Sequence, residues 1–179
     1  MMKQTGKILS TTLAGAVALL LGCAAARAQA VQPQTPTEPA IQTMPEVLQL
    51  DDLAQRGKAL LQQAQSGNGS AGITLSRYPG HYTMLTARNK SGGAEVHGHF
   101  ADFLIVVDGQ GTELTGGTVV DPKNNPNGEI RGTRLEGATP HVLHKGDIIH
   151  IPAGTPHQAI EAPGQTITIF VIKVEEPAH

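Results

Sequence analysis

The sequence predicts an all-β domain, a sandwich or small barrel of short strands preceded by one helix. Three observations carry this. Runs rich in β-branched residues recur at short spacing, as in DFLIVVD, TELTGGTVV, DIIHIP and QTITIFVIKVE. Turn formers are abundant, with 21 Gly and 12 Pro, while aromatic residues make up 3% and Trp is absent. Only residues 46 to 65 show a convincing helical period.

The first thirty residues are a separate matter. Lys3 and Lys7 precede the apolar stretch ILSTTLAGAVALLLGCAAA, and ARAQA offers small-x-small cleavage sites after Ala28 or Ala30. Residues 1 to 30 therefore read as a secretory signal peptide. The apolar stretch is broken by Ser10, Thr11, Thr12 and Gly15, which argues against a membrane span. Leu20-Leu21-Gly22-Cys23 resembles a bacterial lipobox, so the mature chain is expected either to be simply released to the periplasm or medium or to be anchored by lipid on Cys23.

Removing residues 1 to 28 deletes Lys3, Lys7 and Arg27 but no acid, so a chain of formal net charge −2 becomes more acidic. Such a domain, poor in aromatic residues, is a poor candidate for binding nucleic acid. Cys23 is the single cysteine, so the domain holds no internal disulfide and its core must suffice.

Residues 31 to 45 carry four prolines among polar spacers and read as an extended linker. Residues 46 to 66 form the helix, with Leu50, Leu53, Gly57, Leu60, Leu61 and Ala64 on one stripe and Asp51 or Asp52 available as a cap. The stripe is expected to pack on the outside of the domain, with a homodimer contact as the alternative use. SGNGSAG ends it, and strands follow: ITLSRY, closed by Pro79-Gly80, then HYTMLTAR, closed by a turn through Gly93.

VHGHFADFLIVVDG, residues 96 to 109, places two histidines one residue apart. On a strand, side chains alternate faces, so His97 and His99 would point the same way and could chelate one ion. A second segment, GDIIHIPAGTPHQAIE, residues 146 to 161, holds Gly146, Pro152, Gly154 and His157. Together the two segments resemble the signature motifs of the cupin family, written G-x5-H-x-H-x3 or x4-E-x6-G and G-x5-P-x-G-x2-H-x3-N. The second is matched except that Glu161 stands in the last place. In the first, His97, His99 and the closing Gly109 fall into place, and Asp102 stands where Glu is expected, two residues after His99.

This resemblance implies a single jelly-roll β-barrel over residues 72 to 174 holding a divalent ion. Its ligands would be His97, His99, Asp102 and His157, and its identity Mn, Fe, Zn, Ni or Co. Glu95 shares parity with His97 and could replace Asp102. Glu161 is the candidate catalytic base, Phe103, Ile105 and Ile149 would form an apolar wall, and His150 would pack near the site. Between the motifs, TVVD and EIRG could pair as an extra hairpin over the barrel mouth, bringing Arg131 or Arg134 to an anionic small molecule. The implied function is an exported metal-binding protein, either an enzyme of dioxygenase or isomerase type or a non-catalytic binder of a metal or small molecule. A barrel that keeps its histidines without a metal is the remaining alternative.

Overall fold

The computed structural model describes residues 38 to 176. The expected signal peptide, Cys23, the first part of the linker and His179 lie outside the described residues. In order, the chain forms α1 (Leu50–Ser66), β1 (Ser70–Tyr78), β2 (His81–Arg88), β3 (Ala94–Val96), β4 (Phe100–Thr115), β5 (Thr118–Val120) and β6 (Lys123–Asn124). A 3-10 turn over Pro126–Gly128 follows, then β7 (Ile130–Gly132), β8 (Arg134–Glu136), β9 (Thr139–His144), β10 (Ile148–Ile151), β11 (His157–Ile160) and β12 (Ile167–Glu175). No helix among the described residues is long and apolar enough to cross a membrane.

The fold is an antiparallel jelly roll, as expected, and β4 is its spine. Its first half pairs with β10 and β12. At Gly109, where φ is +79°, the strand turns, and its second half pairs with β9 and β11. Only glycine adopts that φ without strain, so the residue that closes the first motif also carries one strand from one sheet into the other. The interior fills with Leu104, Val106, Leu143, Ile151, Ile167, Ile169 and Val171.

The helix lies on the outer face of β2, burying Leu53 and Leu60 against Leu85, Ala87 and Val107. Gly57 sits directly over Thr168, whose Cγ2 would lie 2.5 Å from a β-carbon there, so a bare backbone is what lets the helix approach. The apolar stripe is thus used against the chain's own sheet. Neither aspartate caps the helix: it begins at Leu50 with Gln49 as the flanking residue, and Asp51 and Asp52 stand in the first turn, where their charge suits the helix dipole. The end of the linker is tied down. Glu38 pairs with Arg77, the Gln42 amide donates to the Arg77 carbonyl at 2.6 Å, and Glu46 accepts from Ser76 and Tyr78 hydroxyls at 2.6 and 2.7 Å.

Two expectations need correcting. TVVD does not pair with EIRG; β5 pairs with β8, whereas β7 pairs with β3 and β6. Phe103 and Ile105 have the opposite parity to Asp102 and Leu104 and do not border the cavity, and Phe103 stacks on exposed His150 at 4.3 Å between ring centroids. The apolar wall is built by Met84, Leu104, Ile169 and Val171.

Candidate metal centre

The barrel encloses a cavity of about 350 Å³ whose lining joins these apolar residues to a cluster of ionisable ones. Glu95 on β3, His97 just beyond it and His157 at the start of β11 each offer one ligand atom, all within 4.8 Å of one another. Strand pairing brings them together, since His157 is the register partner of Glu95. The turn at Gly154, with φ +76°, completes the approach by donating its amide to the His97 carbonyl at 2.8 Å.

The tautomers follow from the partners. His97 Nδ1 lies 2.8 Å from Glu129 Oε2 and His157 Nδ1 lies 3.0 Å from the Thr155 carbonyl oxygen. Both partners accept, so each Nδ1 carries a proton, and in the neutral form of either ring Nε2 presents a free lone pair. Burial lowers the His157 pKa, which favours that neutral form. Burial also opposes charge on Glu95, but Arg131 and the two imidazoles outweigh it and hold the carboxyl below its usual range.

Asp102 stands beside this group, its Oδ2 at 3.6 Å from His97 Nε2 and 3.9 Å from His157 Nε2. It is not among the three converging ligands, and Lys173, its direct partner across β4 and β12, donates to the same oxygen at 2.7 Å. Burial lowers the Lys173 pKa, against the pull of Asp102. Metal bonds of about 2.0–2.2 Å set neighbouring ligand atoms roughly 3 to 3.6 Å apart, close to the 3.5 Å between His97 Nε2 and Glu95 Oε2. Asp102 Oδ1 is buried with no hydrogen-bond partner. Two lone pairs, a carboxylate and an unsatisfied oxygen therefore fit a divalent ion.

His99, expected beside His97, lies outside the cluster. The chain leaves β3 after Val96, so residues 97 to 99 form a bend and the alternation of a strand does not apply. The His99 ring rests over Gly128, and its carbonyl accepts from the Glu176 amide. Glu161 is not at the cavity either: its carboxyl is packed over Gly111, buried, with neither oxygen hydrogen-bonded. Arg134 is exposed and pairs with Glu136, and Arg131 reaches the site but is held by Glu95 and Glu129. Glu129, Lys173 and Arg88 belong to the lining without any motif around them.

The chain matches no known family model and no curated protein. It is similar in structure to BH2720 from Bacillus halodurans, with 20% identity over 76% of this chain and 84% of that one and a TM-score of 0.51. Weaker similarity extends to the DMSP lyase DddQ from Ruegeria pomeroyi, at 14% identity, 59% of this chain, 47% of that one and a TM-score of 0.44. The chain thus spans about half of that protein. The cupin domain of Cnp3 from Schizosaccharomyces pombe matches at 8% identity over 60% of this chain and 65% of that one, with a TM-score of 0.46. The likeness to BH2720 is one of fold, the antiparallel jelly roll described above.

Proposed function

We propose that this chain is an exported metal-binding cupin whose divalent ion is held by Glu95, His97 and His157, with Asp102 beside it, and which acts on a small molecule in the barrel. The observation that carries this reading is the pair of imidazoles whose Nδ1 protons are committed to Glu129 and Thr155, leaving both Nε2 lone pairs turned toward Glu95. An ion bound there would supply Lewis acidity or a binding point for oxygen, as suits a dioxygenase or an isomerase.

The protein's own contributions are separable. Glu129 and the Thr155 carbonyl orient the rings, which is the usual work of groups behind metal ligands. Arg131 holds the Glu95 and Glu129 carboxylates in place, and Lys173 holds the buried Asp102 carboxyl by a direct hydrogen bond. Met84, Leu104, Ile169 and Val171 give the interior an apolar wall against which a small molecule can pack. Export is supported by residues 1 to 30 alone.

The test is metal content after reconstitution of the purified protein with Mn, Fe, Co, Ni or Zn. Near-stoichiometric loading with one of them, abolished in His97→Ala and His157→Ala, is expected; substoichiometric loading with all five ends the metal reading. Cell fractionation checks export, which fails if the full chain stays in the cytoplasm uncleaved.

A further inference from the structure

Three cationic side chains line the cavity, and two of them are already paired. Lys173 is bonded to Asp102, and Arg131 bridges Glu95 and Glu129. Arg88, at the end of β2, borders the same interior, and no carboxylate among the described residues stands within the 4.0 Å of an ion pair. Its guanidinium reaches across to Gly92, where a β-carbon would lie 2.6 Å from Nη1, so the missing side chain at 92 is what leaves it room. That backbone is fixed in turn by Gln158, which donates to the Gly92 carbonyl at 2.8 Å and accepts from the Leu135 amide at 2.9 Å.

The acids that feel Arg88 stand outside ion-pair distance of it. Burial pushes Glu113 up to about 8 and Glu161 up to about 7, although Arg88 pulls both down. Glu113 borders the cavity as a neutral acid at pH 7, and Glu161 lies behind Gly111. One end of the cavity therefore carries a free positive charge, the other a cluster fitted to a metal, with apolar wall between them. Along β2 and β12 the pairs Met84–Val171 and Thr86–Ile169 lie between Arg88–Ile167 and Tyr82–Lys173, so the apolar wall separates the two ends.

We infer that the small molecule is an organic acid small enough for a cavity of about 350 Å³, with a chelating oxygen at the metal end and a carboxylate received by Arg88. The apolar wall suits its methylene chain, and a guanidinium takes a carboxylate in two parallel hydrogen bonds. This rests on the metal reading above.

The test compares two probes on Co²⁺-loaded protein by calorimetry: acetohydroxamate, which only chelates, and succinic monohydroxamate, which adds a distal carboxylate. Succinic monohydroxamate should bind about tenfold tighter or better, the gain expected of one charged hydrogen-bonded contact. Arg88→Met should erase that advantage and Arg88→Lys restore part of it, while both variants keep the wild-type affinity for Co²⁺ and for acetohydroxamate, which also shows that they fold. Co²⁺ binding without a carboxylate advantage, or with one that survives Arg88→Met, would overturn this inference alone. Failure of wild type to bind Co²⁺ would overturn the metal reading and this inference with it.

Discussion

The two ends of the cavity are furnished in opposite ways. At the metal end charge meets charge, Lys173 with Asp102 and Arg131 with Glu95 and Glu129, and His97 is hydrogen-bonded to Glu129. At the far end Arg88 has no carboxylate within ion-pair distance among the described residues, and burial pushes the Glu113 pKa up. The contrast separates a region organised in advance from one that is left to be completed. A ring oriented by its outer hydrogen bond is ready for an ion before the ion arrives, whereas an unpaired guanidinium in a partly apolar space gains most when an anion reaches it.

The largest expected effect comes from breaking the paired end. Lys173→Met would strand Asp102, 3% exposed, without its cation. Removing one member of a buried pair costs about 3–5 kcal/mol, to be read by urea denaturation of the metal-free protein. If the ion can stand in for the ammonium, metal should then stabilise this variant more than wild type. A loss under 1 kcal/mol would mean that the pair is solvated and the contrast overstated.

A smaller effect tests the orientation itself. Glu129→Ala should lower metal affinity by about 10- to 100-fold while leaving all three ligands in place. An unchanged affinity would show that the Nδ1 contact holds the loop rather than the ring.

A last test concerns the far end and its response to pH. Glu113 titrates at about 8 when folded and near 4.5 when unfolded, so between those values the folded state binds the extra proton. Its contribution to stability is complete below pH 4.5 and is lost as pH rises toward 8. His157, with its pKa lowered, acts in the opposite direction, losing stability as pH falls below the unfolded value of 6.5. The informative measurement is therefore the difference between wild type and Glu113→Gln in melting temperature from pH 5 to 8. The variant should show a shallower decline, and parallel curves would place Glu113 in contact with water.

How much of this was legible in the sequence depended on whether local geometry or long-range register set each position. The spacing Gly146, Pro152, Gly154, His157 was readable because the turns are local, and Gly146 and Gly154 both take a positive φ that glycine alone favours. The site of His99 was misread although the count held the answer. Six residues separate Asp102 from Gly109 and four separate His97 from Asp102, which puts Glu95 and His97 in the two histidine places of the first motif. A glutamate in a histidine's place hid the register. Parity from Asp102 could likewise have sent Phe103 and Ile105 outward. Lys173, Glu129 and Arg88 were beyond reach, because each arrives through strand pairing across 30 residues or more, or through a loop whose path no local pattern encodes.

That loop has a further consequence for engineering. Glu129 is delivered to His97 by a backbone that passes through left-handed Asn127 and Gly128, at φ +61° and +69°, and touches Gly98 on the way. The excursion most tempting to swap when changing what the barrel accepts is therefore also part of the scaffold behind the ion. Grafts that replace residues 116 to 138 wholesale will couple selectivity to metal retention, and only exchanges that spare 127 to 131 can tune one without disturbing the other.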